Sequence, residues 1–203
     1  GPHMLARFSV NERTDLYPDD CALAGAYAKV ITEELKQVVN EGCNYIQFDE
    51  PVWTENTRET EWAADILNDI IDQFPGVNFN LHVCGGNAHR KRGFFGKYTD
   101  MISAFKKLKI NEIHLEHCSL HYNMLDVFNE WSFDGKISLG VIDQRIDNTE
   151  STEDIIKAIK PALKYFTKDR ILLTSECGFG HVPIDIVRSK IKKIVEVAKI
   201  IRE

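Results

Sequence analysis

His82 and Cys84 stand two residues apart in "NLHVCGGN", at the end of an apolar run and just ahead of Gly85 and Gly86. Residues two apart in a strand project from the same side, so an imidazole and a thiol placed this way can grip one ion. Two further groups end similar runs: Glu116 in "NEIHLEHC" and Cys177 in "RILLTSEC". One nitrogen, two sulfurs and a carboxylate oxygen are a donor set that suits zinc. Cys118 is a weaker alternative to Glu116. Two other uses compete with coordination. Taken singly, a strand-end cysteine is most often a buried small hydrophobe and a histidine a hydrogen-bonded core residue. Cys84 could instead be a thiolate nucleophile activated by His82, although same-face neighbours suit shared coordination better.

Acidic residues form the next constellation. "QFDEP" sets Asp49 and Glu50 at a strand end, where Pro51 stops the ladder. Asp49 could hold an ammonium group and Glu50 could serve as a base; a helix cap or a solvated turn is the alternative. "GVIDQR" offers Asp143 and Arg145, either a surface pair or a clamp for a substrate carboxylate. The basic run "HRKRG", from His89 to Gly93, reads as a solvated loop, with an anionic substrate as the alternative partner. His89, His117, His121 and His181 are expected in solvent, and Cys21 and Cys43 as packing residues.

The elements that must position these groups are legible from periodicity. Short β-like runs begin at Asn44, Val77, Asn111, Lys136 and Arg170, separated by helix-like segments over 21–41, 59–73, 98–107, 151–166 and 183–201. Strict alternation at this spacing predicts α/β architecture with a parallel sheet and crossover helices. Phe79, Leu81 and Val83 oppose Asn78, Asn80, His82 and Cys84; Ile113 and Leu115 oppose His114, Glu116 and Cys118; Ile46 and Phe48 oppose Tyr45, Gln47 and Asp49. One face is apolar and the other polar, whereas an ordinary parallel sheet is covered by apolar contacts on both. A (β/α) TIM-type barrel gives the polar face an enclosed interior and collects chemistry at the C-terminal strand ends. An open doubly wound sheet is the competing architecture, without a Gly-rich phosphate loop after its first strand. An eight-unit barrel takes about 250 residues, so the chain is expected to hold only the C-terminal five or so units.

Composition narrows the partners. The 203 residues carry a formal charge of −6 with scattered basic residues, which argues against nucleic acid, and no apolar run approaches the length of a membrane span. Five dispersed cysteines without a secretory segment point to a reduced, cytoplasmic protein. Residues 1–4, "GPHM", read as a tag-cleavage scar, leaving 5–203 as a single domain.

Together these motifs resemble the C-terminal catalytic barrel of cobalamin-independent methionine synthase, especially its short core-type relatives and the zinc alkyltransferases acting on coenzyme M. The family reads Q-x-D-E-P, H-x-C, a strand-ending Glu, G-V-x-D and D-C-G; here stand "QFDEP", "HVC", "HLE", "GVID" and "ECG". The resemblance implies a zinc-dependent methyltransferase that methylates a thiol, homocysteine to methionine, with methylfolate or methylcobalamin as donor. It places the zinc ligands on His82, Cys84, Glu116 and Cys177, and the group receiving the homocysteine ammonium on Asp49. Two departures stand out. The larger enzymes carry a histidine after G-V-x-D, where this chain has Gln144 and Arg145. The family's first strands precede the "LARFSV" segment, so the N-terminal strands are expected to be missing, with self-association or a partner chain completing the barrel. A coenzyme M alkyltransferase-like enzyme and a non-catalytic zinc-binding fragment or subunit of a split barrel are the alternatives.

Overall fold

The computed structural model describes residues 1–120 and 123–202; His121 lies outside them. Each β-like run forms a strand: β1 Tyr45–Asp49, β2 Asn78–Val83, β3 Glu112–Glu116, β4 Lys136–Ile142 and β5 Ile171–Ser175. All neighbours pair in parallel, in the order β1-β2-β3-β4-β5. A doubly wound sheet reverses its strand order at a switch point; this one never does, as an arc of a TIM-type barrel requires.

The period-2 reading holds in three dimensions. Ile46, Phe48, Phe79, Leu81, Ile113, Leu115, Ile137 and Leu139 are buried in one core. Against them lie Ala64, Leu67 and Ile70 of α3 (Thr60–Ile71), Phe105 of α4 (Ile102–Lys107), and Ile155, Ala158 and Ile159 of α5 (Thr152–Ile159). At about 25 cal/mol per Å² of apolar area removed from water, this layer is the main driving force for closing the sheet.

The helices depart from expectation in informative ways. The segment expected as one helix over 151–166 is α5, opened by the Ser151 side chain accepting from Asp154 N–H, followed by a tight 3₁₀ turn over Lys160–Lys164. Pro161 lacks the N–H that an α-helix would need there. Segment 98–107 likewise starts as a 3₁₀ turn before α4. Helices α2 (Asp20–Asn40) and α6 (Ile184–Arg202) match the remaining expectations closely. Residues set aside as a scar take part in a further helix, α1 (Pro2–Phe8), whose His3 is buried.

Candidate metal centre

His82 is the last residue but one of β2, Cys84 directly follows that strand, and Cys177 lies two residues past β5. Their donor atoms all fall within 4.8 Å of one another, and the two sulfurs are 3.8 Å apart. Neighbouring groups hold each ligand's backbone. The Thr54 hydroxyl donates to the Cys84 carbonyl at 2.8 Å, and Cys177 N–H donates to the Gln144 side-chain oxygen at 3.1 Å. Asn87 bridges the two ligand-bearing loops by donating to the Gly178 carbonyl at 2.8 Å.

Whether these residues suit a metal can be tested on their present partners. His82 is buried, yet among the described residues neither of its ring nitrogens finds a hydrogen bond of ordinary geometry; buried polar atoms are normally satisfied. The Cys84 thiol donates toward Cys177, which raises Cys84 and, with His82 nearby, pulls the Cys177 thiol well down. A buried imidazole facing a sulfur pair with one thiolate already favoured is a donor set that zinc satisfies.

Glu116, the fourth expected ligand, stands outside this trio. Fully buried at the end of β3, it accepts from Gly85 N–H at 2.8 Å, pairs with Arg92 at 3.0 Å and bonds Arg145. Burial raises its carboxyl, while Arg145 and Arg92 pull against that shift. Arg145 also reaches Glu176 at 2.8 Å and Asp143 at 3.2 Å. Desolvation opposes the Arg145 charge, but Glu116, Glu176 and Asp143 outweigh it and raise its pKa. Asp143 and Arg145 are therefore parts of a buried network rather than a surface pair.

The basic loop is not simply solvated either. Arg90 pairs with Asp147, and Arg92 points inward to Glu116. His89 and Arg90 both have positive φ, 49° and 61°, and Lys91 N–H donates to the Ala88 carbonyl at 3.0 Å. That is the conformation of a type I′ turn, which Gly or Asn usually occupies. It reverses the chain so that Gly93 and Phe94 N–H donate to the Gly85 carbonyl, at 2.8 and 2.9 Å. A Cβ on Gly85 would come within 2.4 Å of Arg92 Nε, so a glycine is needed there for close approach.

His89 and His181 are exposed, as expected, and stack at 5.2 Å between ring centroids. His117 is a correction: it is completely buried, its Nε2–H donating to the Ala158 carbonyl at 2.7 Å, because the chain past β3 turns it under α5. Cys43 packs against the core, Cys21 is half-buried, and Cys118 is held protonated by burial beside Glu176.

The acidic pair divides its labour. Asp49 is exposed on the polar face, accepts from Gln47 at 2.8 Å and is registered opposite His82. Glu50 points the other way. Its carboxylate is fully buried and accepts from His3 and Met4 N–H at 3.0 and 2.8 Å, capping α1. Sequence reasoning did not find Arg92, Gln144, Glu176 or Lys190. Lys190 is fully buried in α6 and ties down loop 143–150 through Asp143 O, Asn148 O and Glu150, at 3.0, 2.7 and 3.0 Å. Arg92 lay inside "HRKRG", Glu176 inside "ECG" and Gln144 directly after "GVID", but no role was read for them there; Lys190 carried no signal.

Residues 1–200 match the family described as "Cobalamin-independent synthase, Catalytic domain". Over its full length the chain is 32% identical to the methionine synthase of Sulfurisphaera tokodaii and 31% identical to that of Sulfolobus acidocaldarius, covering 55% of each. The chain thus spans about half the length of these curated relatives. Its fold superposes on the B12-independent methionine synthase from Shewanella sp. W3-18-1, solved in complex with selenomethionine, with a TM-score of 0.88 at 24% identity. That match covers 100% of this chain and 60% of the other. With a non-reversing parallel sheet, a His-Cys-Cys cluster at its strand ends and a family match along nearly its whole length, the chain belongs to the catalytic-domain family of cobalamin-independent synthases.

Proposed function

We propose that this chain carries the thiol-activating half of a methyl transfer to homocysteine, giving methionine, with zinc as the resident metal. The observation that supports the reading best is the convergence of His82, Cys84 and Cys177, with an imidazole whose nitrogens find no hydrogen-bond partner outside this cluster among the described residues. A free thiol of pKa about 8.5 is mostly protonated at neutral pH, and zinc bound to these three residues supplies the Lewis acidity that keeps an incoming thiol ionised. A sulfur–carbon bond then forms as the donor's bond to the methyl carbon breaks, the electron pair leaving with the donor.

The chain's own residues orient the partners. Asp49, opposite His82 in register and open to solvent, offers its carboxylate to the substrate ammonium. A cavity of about 830 Å³ lies beside the network, lined by Arg92, Tyr98, Ser119, Met124, Asp143 and Arg145, and we assign it to the methyl donor. Its volume suits a ligand of drug or cofactor size. Glu50, committed to α1, is given no part in the chemistry.

A second reading is favoured by the sheet's two edges. Tyr45 and Val38 are exposed beside β1, and Leu172, Ile191 and Val195 beside β5. Edges that pair with no further strand among the described residues, flanked by apolar side chains, suit the remaining barrel units, in which case turnover requires a further segment or chain.

The test is zinc content after purification without added metal, together with thiol-dependent methyl transfer from methylfolate and from methylcobalamin. Stoichiometric zinc and turnover are expected, both absent from a Cys84→Ser/Cys177→Ser variant. Metal retained by that variant would overturn the ligand assignment. An Asp49→Ala variant with unchanged activity would favour a coenzyme M-like acceptor, and a monomer that turns over alone would exclude the need for a partner.

A further inference from the structure

We propose that His114 is a positioning residue for the metal centre, holding the His82 ring by packing against it and the Cys177-bearing end of β5 by a hydrogen bond. This role deepens the zinc reading above and rests on it. His114 stands opposite His82 in the register of β2 and β3, and their ring centroids are 4.0 Å apart with the planes tilted by 38°. Its Nε2–H donates to the Ser175 carbonyl at 2.8 Å, since a carbonyl can only accept. Ser175 in turn donates its hydroxyl to the Cys177 carbonyl at 2.7 Å. One buried ring thus touches both sides of the cluster, the His82 and Cys84 side on β2 and the Cys177 side past β5.

Two features make the contact matter. The first is what His82 lacks. A metal-ligating histidine almost always donates its second ring nitrogen to a carboxylate, a carbonyl or water, which fixes the ring. Outside the cluster the His82 nitrogens find no such partner among the described residues, so its orientation rests on packing, and His114 is the ring packed against it. The second is the reach of His114. Neighbouring strands lie about 4.8 Å apart, so β5 is roughly 10 Å of sheet away from β3. Between them, β4 places Ser138 and Gly140 opposite His114 and Glu116 in register. Their small size leaves the ring a path over β4 to the Ser175 carbonyl. A long side chain at either position would stand in that path.

Loss of a positioning group from a metal site weakens binding about 10–100-fold. The test is metal affinity of the full chain, by chelator competition at neutral pH with zinc and with cobalt(II). It compares wild type, His114→Ala, His114→Phe, His114→Gln and Leu67→Ala. Leu67 is a core residue of α3 outside the cluster, so its truncation lowers stability and leaves the donors alone. His114→Ala is expected to bind both metals roughly tenfold more weakly and to shift the visible cobalt bands, which report ligand geometry. His114→Phe keeps a ring against His82 and His114→Gln keeps an N–H donor. Each should lose less, and they carry the comparison if His114→Ala does not fold. Leu67→Ala should match wild type. Wild-type affinity and spectrum in all three His114 variants overturn the role. So does equal weakening in Leu67→Ala, which would show that affinity merely follows stability. Wild type that takes up neither metal overturns the zinc reading instead. The hold on His82 is then decided in the metal-free chain by nuclear magnetic resonance. An Overhauser contact between the two rings in wild type, with His82 C–H resonances that broaden in His114→Ala, is expected; resonances unaltered by that substitution overturn it.

Discussion

Cys84 and Cys177, 93 residues apart in the chain, bring their sulfurs to 3.8 Å with the Cys84 thiol donating toward Cys177. Nothing local in the sequence brings them together. One follows β2 and the other follows β5, so the contact exists only because three parallel pairings align the strand ends. The stability of the elements around this contact is therefore the first thing to probe.

Gly85 is packed so closely by Arg92 and the Phe94 carbonyl, at 2.4 and 2.6 Å from an added Cβ, that Gly85→Ala must displace one of them. The substitution should cost roughly 1–3 kcal/mol, the usual penalty of overpacking. Urea denaturation would measure it. Combining it with Arg92→Ala should relieve part of the cost, since only the backbone clash then remains; full additivity would show that Arg92 is not the obstacle.

Lys190 has no exposed side chain and makes three bonds into loop 143–150. Lys190→Met would take the Nζ donor from two carbonyls and from Glu150, which would keep only the Asp143 N–H. A loss of roughly 3 kcal/mol is expected from breaking such a buried pair. Equilibrium unfolding gives the number, and faster proteolysis within 143–150 would locate the damage.

Burial lifts the Glu50 carboxyl to about 7, against an ordinary value of 4.5, with the Gly1 ammonium and the Met4 and His3 N–H groups pulling it back. An acid whose folded pKa is raised gives its full contribution below the unfolded pKa. That contribution is lost as the pH rises through about 7, because the unfolded chain releases its proton first. Relative to Glu50→Gln, wild type should lose about 3 kcal/mol between pH 4.5 and 7.5. Parallel denaturation curves across that window would refute the assignment.

His117 behaves oppositely. Burial lowers its pKa from 6.5 to about 4, with the bond to Ala158 O resisting. A base with a depressed folded pKa contributes fully above 6.5 and loses that contribution as pH falls through about 4. The loss relative to His117→Gln should again be about 3 kcal/mol. The histidine C–H resonances offer a direct check: the His117 signal should not titrate between pH 8 and 5.

Much of this was legible in the sequence alone. Five strands and their parallel pairing follow from regular spacing, and the apolar and polar faces of three of them from period-2 alternation, because the side of a strand on which a residue lies is set within the strand itself. For the same reason His82 and Cys84 could be paired, and Asp49 placed on their face. The partners of Glu116 were not legible. Arg92 reaches it through a type I′ turn built from His89 and Arg90, residues that give no hint of positive φ. Arg145 reaches it from the loop after the neighbouring strand β4. Likewise Glu50 and His117 sit beside or within readable motifs, yet their burial comes from α1 and α5, which pack over them from elsewhere in the chain. Local periodicity determined which groups share a face; only tertiary packing decided which charges face one another, because that depends on how loops reverse and on which helix covers each strand end.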